Sequence, residues 1–134
     1  MEAVIFCGIQ ATGKSTFYKT HFFATHVRIS MDLLNTRNRE AIFLDACVSS
    51  FQKFVVDNTN VGKEDRLKYI SLARKHKYKV IGYYFQSAIT EAISRNSGRT
   101  GKAFIPEAGI RGTYNRLQLP CKEEGFDELY YVTL

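Results

Sequence analysis

Residues 8–15 read GIQATGKS and follow directly on residues 3–7, an apolar run of sequence AVIFC. They match the pattern G-x-x-x-x-G-K-[ST] of phosphate-binding loops (P-loops). Such a loop works only between a strand and a helix, because the strand delivers the loop N–H groups and the helix N-terminus adds its partial positive charge. Residues 14–23 contain neither Gly nor Pro and space their aromatic side chains as a helix does. The sequence therefore predicts a strand, a phosphate-binding loop and a helix in succession.

Each residue type in this loop has its own chemical use. Gly8 and Gly13 let the backbone turn its amides inward. Lys14 reaches the β- and γ-phosphates of a nucleotide, and the Ser15 hydroxyl can ligate Mg²⁺. The predicted nucleotide-binding residues are Gly8, Gln10, Ala11, Thr12, Gly13, Lys14, Ser15 and Thr16. The alternative, a glycine turn with a chance lysine, is disfavoured by the position at the first strand-to-helix junction.

Length and charge limit what the chain can be. Its 134 residues predict one domain over residues 1–134 with a single core. A net charge of +6 and a pI near 9.3 suit a polyanionic partner such as nucleic acid or nucleotide phosphates, although a small protein can also be basic without one.

The cysteines and the hydropathy pattern indicate a cellular location. Cys7, Cys47 and Cys121 show no metal-ligand spacing and no disulfide framework, so reduced thiols are expected. Neither a leader nor an apolar stretch long enough to span a bilayer is evident. We therefore expect a soluble, cytoplasmic protein without a membrane partner.

Strand and helix patterns alternate along the chain, which predicts an α/β fold with a parallel sheet. The predicted strands are residues 3–7, 27–30, 53–57, 79–85 and 128–132. Residues 54–56 and 79–85 are almost entirely apolar, as in strands covered on both faces, and should be near the centre. Predicted helices cover residues 63–77, with a stripe of Leu67, Ile70 and Ala73, residues 88–96, and residues 106 to about 120, with a stripe of Ile110, Tyr114 and Leu117.

Two aspartates follow predicted strands. Asp32 comes just after the second strand, at the sheet edge where ligands bind in this architecture. There it can accept a proton from an acceptor hydroxyl during phosphoryl transfer, or it can be a helix cap or first-turn acid. Asp57 ends the third strand, in the arrangement of an aspartate that supports Mg²⁺. Asn58, Thr59 and Asn60 can hydrogen-bond a phosphate or a sugar, or can simply form a turn.

Arginines near residue 100 predict a lid over residues 95–104. Arg95 and Arg99 lie four residues apart, so one continuing helix would point both guanidinium groups the same way. Arginines on a closing lid stabilise the transferring phosphoryl group and exclude water, whereas the alternative is a solvated basic helix end. Arg111 and Arg116 are weaker candidates. Tyr18 can stack on a base, although core packing is the simpler expectation.

Taken together, these segments resemble the 5'-hydroxyl polynucleotide kinase family, the P-loop kinase domain of phage and animal end-healing enzymes. The resemblance covers nearly the whole chain, and residues 57–60 (DNTN) are its most specific part. It rests on the P-loop with residues 15–17 (STF), on residues 27–32 (VRISMD) and 55–60 (VVDNTN), on Arg66, Tyr69, Ala73, Arg74, Ile105, Pro106 and Tyr114, and on residues 124–126 (EGF).

The resemblance implies a P-loop kinase fold, which is a three-layer α/β/α sandwich with a central parallel sheet of about five strands and a small helical lid. It also implies an enzyme that uses ATP and Mg²⁺ to phosphorylate the 5'-hydroxyl of a DNA or RNA end. Asp32 would be the general base, and Lys14, Ser15 and Arg99 would handle the ATP phosphates. The protein would act alone or with a separate end-healing or ligase partner.

Two departures from the family pattern affect the acceptor side. Met31 stands where the family usually has an arginine, and Asn35 stands where the phage enzyme has an arginine for the acceptor phosphate. Arg37 or Arg39 can supply the lost charge. A kinase for a small metabolite or nucleotide sugar is an alternative, as is a nucleotide-binding regulatory module, although a non-catalytic module has no need of Asp32.

Overall fold

The computed structural model describes residues 1–86 and 88–133, with residue 102 described by its backbone only. The predicted domain over residues 1–134 includes residues 87 and 134, which lie outside the described residues. The described strands are β1 (Glu2–Cys7), β2 (Val27–Ile29), β3 (Phe54–Val56), β4 (Lys79–Phe85) and β5 (Glu128–Val132). The described helices are α1 (Lys14–His21), α2 (Met31–Leu34), α3 (Arg37–Ser50), α4 (Lys63–Lys75), α5 (Ile89–Ser97) and α6 (Glu107–Asn115). Short 3-10 turns lie at Gly101–Ala103 and Lys122–Glu124.

The strands form one parallel sheet in the order β2-β3-β1-β4-β5. β1 is central, and its Val4 pairs with Val55 of β3 on one side and with Ile81 of β4 on the other. Helices cover both faces, which is why the three middle strands are almost entirely apolar. The predicted parallel sheet of about five strands, with β3 and β4 near its centre, is confirmed.

Two apolar layers lie on the two faces of the sheet. On one face, Leu44 of α3 and Ile70 of α4 pack among buried side chains of the sheet. On the other face, Phe22 follows α1 and its ring lies 6.0 Å from the ring of Phe6 in β1. Because all strands run the same way, their carboxyl ends meet at one edge, and the P-loop follows β1 at that edge.

A third apolar cluster lies beside this edge. It joins Ile9 of the P-loop to Ala92 of α5 and Ile110 of α6, and all three are completely buried. The segment predicted as a lid therefore starts from helices that pack directly on the phosphate-binding loop.

Helix α3 is not among the elements predicted from sequence. Leu44 and Val48 are buried, as an amphipathic helix requires. However, Ile42 and Phe43 are exposed, so apolar residues occur around the helix and mask its period.

The predicted apolar stripe of α4 is wrong at Leu67, which is 55% exposed, whereas Ile70 and Ala73 are buried. Arg66, which directly precedes Leu67, is completely buried. Its guanidinium donates to both carboxylate oxygens of Glu124, at 2.8 and 3.0 Å. This pair orients α4 so that Arg66, and not its neighbour, faces the sheet, a result that residue spacing alone does not reveal.

Helix α6 also differs from its prediction. It ends at Asn115 and not near Pro120, and Tyr114 is exposed while Thr113 is buried. The Thr113 hydroxyl accepts a hydrogen bond from Gln10 Nε2 at 3.0 Å, so the buried side of α6 includes a polar contact with the P-loop. Helix α4 likewise ends before residue 77 and α1 before residue 23.

Within residues 1–86 and 88–133, no helix is long and apolar enough to span a bilayer.

Candidate active site

The P-loop wraps around the amino group of Lys14. Its Nζ donates to the carbonyl oxygens of Gly8 at 3.0 Å and Ile9 at 2.6 Å. Gly13 has a φ of 89° and caps α1, a conformation that only glycine adopts without strain. The Gly8 N–H donates to the carbonyl of Thr59 at 2.9 Å, which ties the loop to the segment after β3.

Several charged groups around the cavity act on the ammonium group of Lys14. Burial lowers the pKa of its ammonium to about 8, and the negative charges of Asp57 and Asp32 act in the opposite direction. The positive charge of Arg99 acts in the same direction as burial. Lys14 therefore lies within electrostatic reach of both predicted aspartates and of one predicted lid arginine.

A cavity of about 430 Å³ opens over the P-loop. Its walls are formed by residues 10–16 together with Met31, Asp32, Arg37, Asp57, Asn58, Thr59, Arg99, Ala103 and Ile105. Of the predicted site residues, Gly8 and Arg95 lie outside this lining. The structure thus brings the loop, both aspartates and Arg99 to one space.

Asp32 lies in the first turn of α2, a helix whose N-cap is Ser30. The N–H of Met31 donates to Asn58 Oδ1 at 2.9 Å, so a side chain that follows β3 holds the start of this helix. Asp32 is therefore both a first-turn acid and a cavity-lining residue, and the two sequence interpretations are compatible.

Asp57 and Ser15 meet at the carboxyl end of β3. The Ser15 hydroxyl donates to Asp57 Oδ2 at 3.1 Å, and the Asp57 side chain is only 2% exposed. A hydroxyl and a carboxylate are the hard oxygen ligands that Mg²⁺ uses beside substrate phosphates, so the pair fits that ion. Among the described residues, no three or more His, Cys, Asp or Glu side chains are grouped so that they could hold a metal ion by themselves.

Arg28 joins this pair, and sequence reasoning did not single it out. Its Nε donates to Asp57 Oδ2 at 2.8 Å and its Nη2 donates to Ser15 Oγ at 3.1 Å. Arg28 lies in the edge strand β2, and a lone arginine in a short strand carries no spacing signal that points to a site.

A second unpredicted residue, Glu40 of α3, is the centre of a hydrogen-bond network beside the cavity. Its carboxylate accepts from Tyr69 OH at 2.8 Å, from Arg37 Nη1 at 3.0 Å and from Asn58 Nδ2 at 3.3 Å. Burial alone would raise the pKa of Glu40, but the hydrogen bonds from Tyr69 and Arg37 and the charge of Lys68 hold it below its usual value. Burial and the bond to Glu40 raise the pKa of Tyr69.

The polar run after β3 has structural partners. Asn58 connects α2 to the Glu40 network, and Asn60 is buried with its Nδ2 donating to the carbonyl of Phe6 at 2.8 Å. Thr59 lines the cavity. The turn interpretation therefore describes Asn60, while Asn58 positions the helix that carries Asp32.

Arg95 and Arg99 do not lie on one helix, because α5 ends at Ser97. Arg95 Nη1 donates to the carbonyl of Ala11 at 2.9 Å, so Arg95 binds the P-loop backbone and does not line the cavity. Arg99 lines the cavity and donates to the carbonyl of Ala103 at 3.2 Å. Asn96 closes the base of this loop, since it donates to the carbonyl of Ile105 at 2.5 Å and accepts from its N–H at 2.9 Å.

The weaker candidates lie elsewhere. Arg111 is 3.6 Å from Glu107 on the same helix, and neither Arg111 nor Arg116 lines the cavity. Tyr18 is buried and donates to the carbonyl of His26 at 2.6 Å, so it packs in the core.

Comparison with solved structures identifies the class of fold. The chain matches Kti12 of Chaetomium thermophilum, a complex with ADP-AlF3, with a TM-score of 0.68 and 13% identity, over 98% of this chain and 88% of that one. It matches a gluconokinase from Sinorhizobium meliloti with a TM-score of 0.65 and 17% identity, over 98% of this chain and 82% of that one. The fold is the three-layer α/β/α P-loop kinase fold.

Comparison with curated sequences indicates which class of P-loop kinase this chain is similar to. No protein-family model matches the chain. The chain is 27% identical over 138 aligned positions to the bifunctional polynucleotide phosphatase/kinase of Schizosaccharomyces pombe. The alignment covers 98% of this chain and 33% of that relative. The chain thus spans about a third of the length of the curated relatives that it matches. It is a polynucleotide kinase-like P-loop domain.

Proposed function

We propose that this protein transfers the γ-phosphoryl group of ATP to a hydroxyl acceptor, and that the acceptor is the 5'-hydroxyl of a DNA or RNA end. One observation carries the proposal. A single cavity is lined by Lys14 of the P-loop, by Asp32 in the first turn of α2 and by Arg99 of the lid segment.

The donor side is formed by the P-loop. Its N–H groups and the N-terminus of α1 attract the β- and γ-phosphates, and Lys14 adds a full positive charge. Arg99 lines the same cavity and stabilises the charge of the transferring group. Arg95 acts indirectly, because its bond to the carbonyl of Ala11 fixes the shape of the loop.

The acceptor side is formed by Asp32. Its carboxylate accepts the proton of the attacking hydroxyl as the oxygen–phosphorus bond forms and the bond to ADP breaks. Asn58 accepts from the N–H of Met31 and donates to Glu40, so this pair holds the start of the helix that carries Asp32. The products are ADP and a phosphorylated end.

Ser15 and Asp57 are the residues that would hold Mg²⁺, which neutralises charge on the β- and γ-phosphates when it is bound. A hydroxyl and a carboxylate are oxygen ligands of the type that this ion prefers.

Arg37 is the proposed anchor for the acceptor phosphate. Asn35 ends α2 in a left-handed conformation, with a φ of 68°, where the phage enzyme has its arginine. Two residues later, Arg37 lines the cavity that contains Asp32, and its side chain is 62% exposed. Nη1 of Arg37 donates to Glu40 and to Tyr69, which fixes the base of this side chain beside the cavity. Arg39 does not line the cavity.

A small-molecule kinase is the second candidate. The loss of the acceptor arginine at Asn35 favours it, and one protein of the same fold is a gluconokinase. The net charge of +6 and the similarity to polynucleotide phosphatase/kinase favour a polynucleotide.

The acceptor assay separates these candidates. Transfer of labelled γ-phosphate is measured with matched 5'-hydroxyl DNA and RNA oligonucleotides and with a panel of sugars and sugar acids. We expect labelled 5'-phosphate ends, and an acceptor KM that rises steeply with salt. Phosphorylation of a sugar with no labelled oligonucleotide would contradict the polynucleotide proposal.

A matched pair of variants tests the anchor. Arg37→Gln should raise the oligonucleotide KM about tenfold and lower the salt slope by about one, because one phosphate contact is lost. Arg39→Gln, two residues away and outside the cavity, should change neither. Equal effects of the two variants would remove Arg37 from the acceptor site.

A further inference from the structure

The oxygens assigned to a metal ion already have a cation beside them. Arg28 donates to Asp57 Oδ2 at 2.8 Å and to Ser15 Oγ at 3.1 Å, and Ser15 donates to the same carboxylate oxygen at 3.1 Å. The three side chains therefore form a closed triangle of hydrogen bonds.

The three residues of the triangle come from three different elements. Arg28 reaches it from the edge strand β2, Ser15 from the first turn of α1, and Asp57 from the end of β3. Asp57 is almost completely buried, whereas the Arg28 side chain is 27% exposed. Arg28 therefore neutralises a carboxylate that has little water around it, and its own side chain has room to move toward solvent.

Arginine cannot leave such a site by losing its proton. The guanidinium is charged at every accessible pH and has only donors, so it satisfies a carboxylate but cannot bind a cation. A divalent ion that uses Ser15 and Asp57 must therefore displace the guanidinium or bind against its charge.

We propose that Arg28 is the built-in counter-cation of Asp57, which blocks the Ser15–Asp57 pair to free divalent ions and yields it only when a nucleotide is bound. The phosphates then supply a new negative partner for Arg28 and further oxygen ligands for the ion. Arg28 is a positioning residue, since it acts through Ser15 and Asp57. The inference rests on the proposed function in one respect, because it takes these two residues as the metal ligands.

Mn²⁺ is the probe, and its binding without nucleotide is measured by the loss of the electron paramagnetic resonance signal of the aqueous ion. The wild type should bind it weakly. Arg28→Gln should bind it at least about tenfold more tightly, because a unit charge about 4 Å from a divalent ion opposes binding even at the dielectric constant of water. Arg28→Lys keeps the charge and should stay weak. The double variant Arg28→Gln/Asp57→Asn should lose the gain.

Thermal unfolding gives a second readout that does not depend on activity. Arg28→Gln should melt lower than the wild type, because it leaves the buried Asp57 carboxylate without its partner. Mn²⁺ should raise the melting temperature of this variant more than that of the wild type, by mass action on the folded state. Equal Mn²⁺ affinity in wild type and Arg28→Gln, or a gain that survives Asp57→Asn, would overturn the proposal and leave Arg28 as a structural ion pair.

Binding of a fluorescent ATP analogue to the wild type separates this inference from the proposed function. An analogue that does not bind, with or without Mg²⁺, refutes the kinase proposal. The Mn²⁺ comparison without nucleotide is read independently, so failure of one result is not mistaken for failure of the other.

Discussion

Glu40→Gln removes one negative charge from the network that holds α2 beside β3. The carboxylate of Glu40 is 4% exposed and accepts from Tyr69 at 2.8 Å, from Arg37 at 3.0 Å and from Asn58 at 3.3 Å. The glutamine amide would turn an NH₂ group toward donors, so at least one of these bonds is lost. Hydrogen bonds to charged groups contribute about 1.5–3 kcal/mol each, and we expect a loss of about 3 kcal/mol in the free energy of unfolding.

The same change should slow transfer without weakening nucleotide binding. The substitution weakens the bond between Asn58 and residue 40. Because Asn58 accepts from the N–H of Met31, next to Asp32, the position of Asp32 becomes less fixed. A misplaced catalytic group costs on the order of a hundredfold in rate, so kcat should fall about 10- to 100-fold. The P-loop is outside this network, and nucleotide affinity should stay within about twofold. Urea unfolding, single-turnover transfer and fluorescent nucleotide binding measure the three quantities.

The pH dependence of the free energy of unfolding shows whether the loss of the Glu40 charge causes the lower stability of Glu40→Gln. Its partners hold the pKa of Glu40 below the usual value in the folded protein, so its ionised form stabilises the fold at neutral pH. That contribution should decrease as the pH falls below about 4 and should be lost below the lower pKa of the folded protein, so the stabilities of the wild type and Glu40→Gln should approach each other over this range.

Asp45→Asn is the matched control, because Asp45 is an exposed acid on the same helix. Its stability should change by less than about 0.5 kcal/mol. The reasoning is refuted if Glu40→Gln matches this control in unfolding and in transfer rate, or if its stability deficit persists unchanged at pH 3.

Further substitutions test the other parts of the structure. Glu124→Gln leaves the buried Arg66 without its bidentate partner and should cost about 3–5 kcal/mol in urea unfolding. Gly82→Ala places a Cβ 2.7 Å from the buried ring of Phe126 and should cost about 1–3 kcal/mol in the same measurement. Lys14→Ala removes the charged donor of the P-loop and should weaken binding of a fluorescent ATP analogue at least about tenfold; unchanged affinity would contradict the assignment of the loop.

The sequence predicts those features whose signals are local. The P-loop is a contiguous motif, and the strands are apolar runs of three to seven residues that alternate with helical segments. The positions of Asp32 and Asp57 follow from the end of the strand that precedes each of them. The fold and the part of the cavity that the P-loop lines can therefore be predicted without coordinates.

The remaining features depend on pairs that are distant in sequence. Arg66 is buried because Glu124, 58 residues away, meets its guanidinium. Arg28 enters the site because Asp57, 29 residues away, lies on the neighbouring strand. Glu40 belongs to α3, whose period is obscured by exposed apolar residues. Such partners become visible only when the sheet order is known.

The central claim is that Asp32 activates the acceptor for a phosphoryl group held by the P-loop. The most direct test is single-turnover transfer to a 5'-hydroxyl oligonucleotide by the wild type and by Asp32→Asn, with both substrates saturating. The account predicts a rate about 10²- to 10⁴-fold lower in the variant, with nucleotide affinity within about twofold, because a general base is lost and the P-loop is intact. A variant that transfers the phosphoryl group within threefold of the wild-type rate would contradict it.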